Sequence, residues 1–299
     1  MSDFNRGLDN AFVNALNDEY EKGSWWHRFV NDKDVFVAIR RNSVNAYYRG
    51  CSLLKLDWRG GAIDGSTHYK YLLHPSYSNS YIKIVNGQPE LPQDPKDLFI
   101  RSVDSLEDLK KAAQPFAGEE KSGVHDILNS NHNVLDVEIA FGDDDGDSSS
   151  PRVDFAALRN RSDTTELVFF EAKHFGSKEL RASDDAMPRA VDQAEVYFRR
   201  LAENNDAIAS SYRKVCENLV SLKGMSTRYP KRHEIIEAIA DGSKTLRVNP
   251  EPVLIVFGFD ADQRDGSNWR FHREKLEGLL PERFFLKGNS KKFVRGISL

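Results

Sequence analysis

Arg152-Val153-Asp154-Phe155-Ala156-Ala157-Leu158 and, after a polar turn, Leu167-Val168-Phe169-Phe170-Glu171-Ala172-Lys173-His174 place charged residues inside apolar, strand-like runs. Burying a carboxylate or an ammonium without a partner costs several kcal/mol, so charges at such positions imply a bound cation or a mutual pair. Strand side chains alternate, which sets Glu171 and Lys173 on one face roughly 6–7 Å apart and turns Ala172 to the other. A hairpin between the two runs brings Asp154 alongside. The spacing alone is weak, since Asp94-Pro95-Lys96, Asp108-Leu109-Lys110 and Glu119-Glu120-Lys121 match the same short pattern. Those three lie in polar stretches that water can solvate, and they are set aside. The competing reading of the strand cluster is a structural buried ion pair between Lys173 and a carboxylate.

Around this cluster, strands are expected at residues 133–141, 152–159 and 166–174, with a helix at about 118–130 before them and long helices at about 186–203 and 206–223 after them. Val253-Leu254-Ile255-Val256-Phe257-Gly258-Phe259 is apolar without interruption, as suits a strand covered on both faces. The order helix, three strands, helix, strand predicts an α/β fold with a central mixed sheet flanked by helices. Pro- and Asp-rich punctuation at residues 88–97 places a domain boundary there, giving modules 1–95 and 96–299. The first module opens with a helix at about 8–20. It continues with β-rich runs at 35–39, 44–48, 52–56 and 69–73, broken by Arg41-Asn42-Ser43 and Arg59-Gly60-Gly61, and so reads as a small α+β unit built on an antiparallel sheet.

Composition bounds the function classes. Hydrophobic residues make up 39% of the 299, charged residues make up 29%, and no run of eighteen apolar residues occurs, so a spanning helix is not expected and the chain reads as soluble. The N-terminus lacks the features of a secretory signal. Cys51 and Cys216 are the two cysteines, too few for a disulfide framework or a cysteine zinc site, and a reducing cytoplasmic location is expected. The net charge of −4 gives no global basic field, so a nucleic-acid partner would have to be met by a local basic surface.

A strand Asp, then an apolar strand bearing Glu-x-Lys, then a helix resembles the core motif of the PD-(D/E)xK nuclease superfamily, over about residues 115–260. The proline that names the motif is displaced here: Pro151 lies three positions before Asp154, and Val153 directly precedes it. Gln193-Ala194-Glu195-Val196-Tyr197 is similar to the Gln-x-x-x-Tyr helix of the RecB-like branch. Residues four apart share a helical face, so Gln193 and Tyr197 can both project towards Asp154 and Glu171, although an ordinary amphipathic helix has the same spacing. The resemblance implies a restriction-endonuclease-like fold and metal-dependent hydrolysis of phosphodiester bonds in DNA. It also implies Mg²⁺ or Mn²⁺ held by Asp154, Glu171 and the Ala172 carbonyl, hard oxygen ligands that suit those ions. Lys173 would either hold and help deprotonate the attacking water or stabilise charge on the phosphorus. By the same analogy the chain would act in a restriction or phage-defence system, with a partner protein or as a homo-oligomer. An RNA-directed nuclease and a non-catalytic nucleic-acid-binding module of the same fold are the alternatives.

His125 resembles the helix histidine of the RecB-like branch and is a candidate further ligand, with Glu119, Glu120 and Glu138 as rivals. A lone helical histidine is more often structural, and His174, on the other strand face, is read that way. Asp143-Asp144-Asp145-Gly146-Asp147 lacks calcium-loop spacing and reads as a solvated hairpin turn. Candidate nucleic-acid contacts are Arg181, Arg189, Arg199 and Arg200 near the cluster, and Lys223, Arg228, Lys231 and Arg232 further on. The first module adds Arg40, Arg41, Arg49, Lys55 and Arg59, interleaved with Tyr47, Tyr48 and Trp58.

Overall fold

The computed structural model describes residues 4–72, 80–90, 100, 102–141, 152–183, 185–228 and 230–290, with the side chains of 227, 228 and 230–233 excepted. The chain divides into two compact units: Asn5–Gly118 with Ser211–Ser243, and Met1–Phe4 with Glu119–Ser210 and Lys244–Leu299. This differs from the expected division at 95/96. Residues 96–118 and 211–243 cluster with the N-terminal part, for reasons visible in its packing.

That unit contains α1 (Asn10–Glu21), α2 (Trp25–Asn31), β1 (Phe36–Ile39), β2 (Ser43–Tyr48), β3 (Cys51–Arg59), β4 (Ala62–His68), β5 (Tyr81–Val85), β6 (Gln88–Glu90) and α3 (Leu106–Ala113). The six strands form one antiparallel sheet in sequential order. Leu106, Leu109, Ala112 and Ala113 of α3 are buried, and the Cys51 thiol on β3 lies 3.7 Å from the Ala113 carbonyl, which ties residues past the expected boundary to this sheet. Asn218 does the same for the later helical segment, accepting from Leu8 N at 2.8 Å and donating to Leu8 O at 3.2 Å.

One expected strand is corrected. Tyr69–Leu72 is a 3₁₀ turn, and the strand is the preceding Ala62–His68. That segment carries Asp64, Gly65, Ser66 and Thr67, which hides it from a hydrophobicity reading. Its inward positions are Gly65, where an added Cβ would sit 2.9 Å from Ile84 O, and Thr67, whose hydroxyl donates to Leu53 O at 2.7 Å. Close backbone approach and an internal hydrogen bond replace apolar side chains there. The expected turn at Gly60-Gly61 joins β3 to β4 with both residues at positive φ, the backbone a two-residue hairpin requires.

The second unit begins with α4 (Glu119–Ser130), β7 (Val134–Ala140), β8 (Arg152–Asn160), β9 (Thr164–His174) and α5 (Arg189–Glu203), followed by α6 (Asn205–Ser221), within which the division falls. After α7 (Met225–Arg228) and α8 (Pro230–Ala240) of the first unit, it resumes with β10 (Thr245–Val248), β11 (Val253–Phe257), α9 (Ala261–Asp265), α10 (Ser267–Leu279) and β12 (Phe284–Gly288). Its sheet runs β12-β11-β9-β8-β7, with β10 beside the first half of β9. The β7-β8-β9 pairs are antiparallel and the β9-β11-β12 pairs parallel, so the sheet is mixed. The expected order of helix, three strands, helix and strand is present, with β10 as an addition. The Asp143–Asp147 segment lies outside the described residues.

One helix packs through an absent side chain. A Cβ at Gly123 in α4 would lie 2.0 Å from Cε2 of Phe257 on β11, a distance no packed pair sustains. Alanine favours a helix over glycine, yet Gly123→Ala is expected to destabilise the protein by roughly 1–3 kcal/mol, because Phe257 is buried and has nowhere to move. A lowered denaturation midpoint checks this; an unchanged or raised midpoint contradicts the packing.

Candidate functional site

The β8-β9 hairpin sets the geometry. Phe155 pairs with Phe170, and their rings stack at 4.8 Å with planes 7° apart. One step along, the same register brings Asp154 opposite Glu171, and alternation turns both to the face away from those rings, where Lys173 also lies. Asp154 Oδ2 accepts from Ala172 N at 2.7 Å, which pins the carboxylate against β9. On the next strand Leu254 is level with Glu171 and Val256 with Lys173. These two belong to a buried cluster with Ala190, Val191 and Ala194, so α5 covers the charged face of the sheet.

Both α5 residues singled out from the sequence are on the inner side. The Tyr197 hydroxyl donates to Arg152 O at 2.9 Å, and its pKa is raised by burial and then by the charges of Glu171 and Asp154. Gln193 Oε1 is buried without a hydrogen-bond partner. His125 is buried on α4 with Nε2 3.0 Å from Asn129 Nδ2. The α4 residue that reaches the cluster is Glu120, whose Oε1 lies 3.7 Å from Lys173 Nζ and whose Oε2 accepts from His174 N at 3.3 Å. Glu119 Oε2 lies 3.8 Å from His174 Nδ1, a nitrogen that already accepts from Gly176 N. His174 packs edge-on against Phe257, on the other face from Lys173.

Carboxylates crowd around one ammonium. Lys173 Nζ lies 2.9 Å from Glu171 Oε1 and 2.7 Å from Glu179 Oε2, and Arg189 Nε is 3.4 Å from Glu179 Oε1. Lys173 is 6% exposed and Glu171 3%. Burial works to lower the Lys173 pKa, but Glu171, Glu179 and Glu120 outweigh it and hold the group charged. For Glu171 burial dominates; Lys173 opposes it, Glu120 and Glu179 add to it, and the pKa rises to about 7. Asp154 is pushed well above the usual carboxylate range by burial and by Glu171, against the pull of the Ala172 N–H and Lys173, with Glu138 adding to the rise. Glu171 Oε2 has no hydrogen-bond partner. The cluster thus holds two acids with raised pKa values and one buried carboxylate oxygen without a partner.

No family model, curated protein or solved structure matches this chain. The chemistry of the site therefore rests on its own residues. Among the described residues, no group of three or more His, Cys, Asp or Glu side chains is arranged to hold a metal ion. Asp154 and Glu171 nevertheless fit a magnesium-like ion, which keeps several waters and takes one or two carboxylates rather than a full protein cage. Glu171 Oε2 is the oxygen that such an ion would satisfy.

Glu179 is the site residue that sequence reasoning missed. It sits in a 3₁₀ turn, Lys178–Leu180, within a polar loop, and only the fold brings it to Lys173. Of the basic candidates of the first unit, Arg40 is buried, whereas Arg41 and Arg59 are exposed. Arg40 is 1% exposed, with its guanidinium 5.7 Å from the Tyr47 ring, and Tyr47 and Tyr48 are buried. Lys55 and Arg59 both reach Asp57, at 3.4 and 3.7 Å, and Trp58 stacks on Phe12. Tyr47 and Tyr48 are thus packed inward, while Trp58 is half-buried. Among the described residues, no helix is long and apolar enough to cross a membrane.

Proposed function

We propose that this chain is a metal-dependent nuclease of the PD-(D/E)xK type that hydrolyses phosphodiester bonds of DNA. The observation that carries the reading is the placement of Asp154, Glu171 and Lys173 on one covered sheet face, with Glu171 Oε2 left without a partner. The order α4-β7-β8-β9-α5-β11, with β11 parallel to β9, supports a restriction-endonuclease-like core. Asp154 and Glu171, with the Ala172 carbonyl, would hold Mg²⁺ or Mn²⁺, which supplies Lewis-acid charge at a phosphate and lowers the pKa of a bound water. Lys173 holds its proton at neutral pH, so it acts as a donor that orients the attacking water or neutralises charge on the phosphoryl oxygens. Glu179 and Glu120 position the ammonium. Gln193 and Tyr197 close the site from α5.

The test is cleavage of plasmid and linear DNA, with RNA as competitor, by the full chain in Mg²⁺ or Mn²⁺ and in EDTA. Asp154→Asn keeps an acceptor for the Ala172 N–H while removing the charge. Metal-dependent cleavage is expected from the wild type and a loss of about 10²-fold or more from the variant. No cleavage in either cation, together with no difference in cation binding between the two proteins, would return the cluster to a structural ion pair.

A further inference from the structure

A second constellation lies on the loop that leaves β9. A cavity of about 320 Å³ is walled by Phe175 and Trp269 and lined by the polar side chains of Arg181, Gln263, Ser267 and Asn268. That is the low end of the roughly 300–1,000 Å³ that ligand sites occupy. The Arg181 guanidinium is held over both rings, 5.1 Å from the Phe175 centroid and 5.3 Å from that of Trp269. One of its nitrogens donates to the carbonyls of Phe175 and Ser177, each at 2.8 Å. Its orientation is thus fixed, yet no carboxylate among the described residues pairs with it, and no carboxylate lines the cavity.

The rest of the cavity has the same polarity. Ser267 and Asn268 open the thirteen-residue α10, whose N-cap Gly266 has no capping side chain; the Gly266 carbonyl takes the amides of Trp269 and Arg270, and the positive end of the helix at Ser267 and Asn268 meets the cavity. Trp269 is 3% exposed, and its indole N–H is a buried donor without a partner. The nearby His272 is pulled below the ordinary histidine range by burial and then by Arg181 and Lys275, so further cations crowd the region. A preset arginine and a helix start without a capping side chain, with no acid among the lining residues, form a site for an anion.

We propose that this cavity binds a phosphate ester, with Arg181 as its charged anchor and the start of α10 as its second arm. The pocket stands whether or not the chain is a nuclease. A strand phosphate as the source of the anion rests on that reading, and a free nucleotide is the other source. Arg181 lies two residues beyond Glu179, the carboxylate that holds Lys173, so one loop carries both the anchor and a support of that lysine.

Calorimetric titration of the full chain in EDTA separates this pocket from any cation-dependent chemistry. The probes are inorganic phosphate, deoxyadenosine, deoxyadenosine monophosphate and a short oligonucleotide. Phosphate-bearing probes are expected to bind while deoxyadenosine does not, with Arg181→Gln weakening binding by about tenfold or more and Lys111→Gln, at an exposed lysine of α3, leaving it unchanged. Ser267→Asp is the second variant. An acid in the first turn suits the helix, so folding is kept while the anion is repelled. Monophosphate bound as tightly as the oligonucleotide identifies a nucleotide site, and preference for the oligonucleotide identifies a strand subsite. Equal binding of deoxyadenosine, or binding untouched by both Arg181→Gln and Ser267→Asp, overturns the proposal.

Discussion

Lys173→Met is expected to reduce DNA cleavage by about 10²–10³-fold or more while also destabilising the protein, and the two losses will depend on pH differently. Methionine matches the aliphatic stem of lysine and removes the charge. The catalytic loss comes from removing an ammonium that the surrounding carboxylates keep protonated at neutral pH. The loss of stability comes from Glu171, which is 3% exposed and hydrogen-bonds to Lys173 at 2.9 Å. Stripping a buried carboxylate of its partner costs on the order of 3 kcal/mol when it is ionised. Glu171 already takes up a proton near neutrality, and losing Lys173 pushes its pKa further up, so at pH 5.5 the group is neutral and the penalty shrinks. Urea denaturation at pH 8 and pH 5.5, beside the cleavage assay, reads both effects. Cleavage that survives while stability falls at pH 8 would make Lys173 a structural ion-pair partner and end its catalytic role.

The pairing of Asp154 with Glu171 is legible in the sequence because charge inside an apolar strand is rare, and a strict two-residue period leaves one register in which both apolar runs are buried. The placement of Gln193 and Tyr197 is legible for the analogous reason, a four-residue step on one helical face. The features hidden from the sequence depend on distant packing. Glu179 belongs to a polar loop whose destination no local pattern specifies. Glu120 is one of the rival further ligands read from the sequence, but it stands inside the Glu119-Glu120-Lys121 stretch that is set aside for its polar surroundings. The fold then brings it within 3.7 Å of Lys173 from outside the motif. β4 is hidden because Gly65 and Thr67 fill its inner face by closeness and hydrogen bonding rather than by hydrophobic bulk. Arg40 misleads because a charged side chain just past the end of a strand is ordinarily solvated, whereas here it is buried beside Tyr47.

Glu171→Gln tests the cation reading from the opposite side, through stability. The folded protein raises the Glu171 pKa from 4.5 to about 7, so the folded state holds this proton more tightly than the unfolded chain. The contribution to stability is therefore fully present below about pH 4.5 and is lost as pH rises through about 7, a difference on the order of 3 kcal/mol. Glutamine has the shape of the protonated acid and cannot ionise. In EDTA, the stability of Glu171→Gln relative to wild type should accordingly rise between pH 5 and pH 8. Asp154 titrates in the same direction, and losing the Glu171 charge relieves it as well, which adds to the gain. A divalent cation reverses the order. It binds the ionised acid, so Mg²⁺ or Mn²⁺ should stabilise the wild type more at pH 8 than at pH 5.5 and should leave Glu171→Gln nearly unmoved and inactive. Denaturation midpoints for the two proteins, at both pH values and with or without the cation, measure each of these effects. A difference that stays flat with pH would deny the raised pKa. Equal stabilisation of both proteins by the cation would place its binding away from Glu171. If Glu171 is kept ionisable, at a cost to the fold, for the ion it holds, its glutamine variant gains stability while losing the cation and the chemistry together.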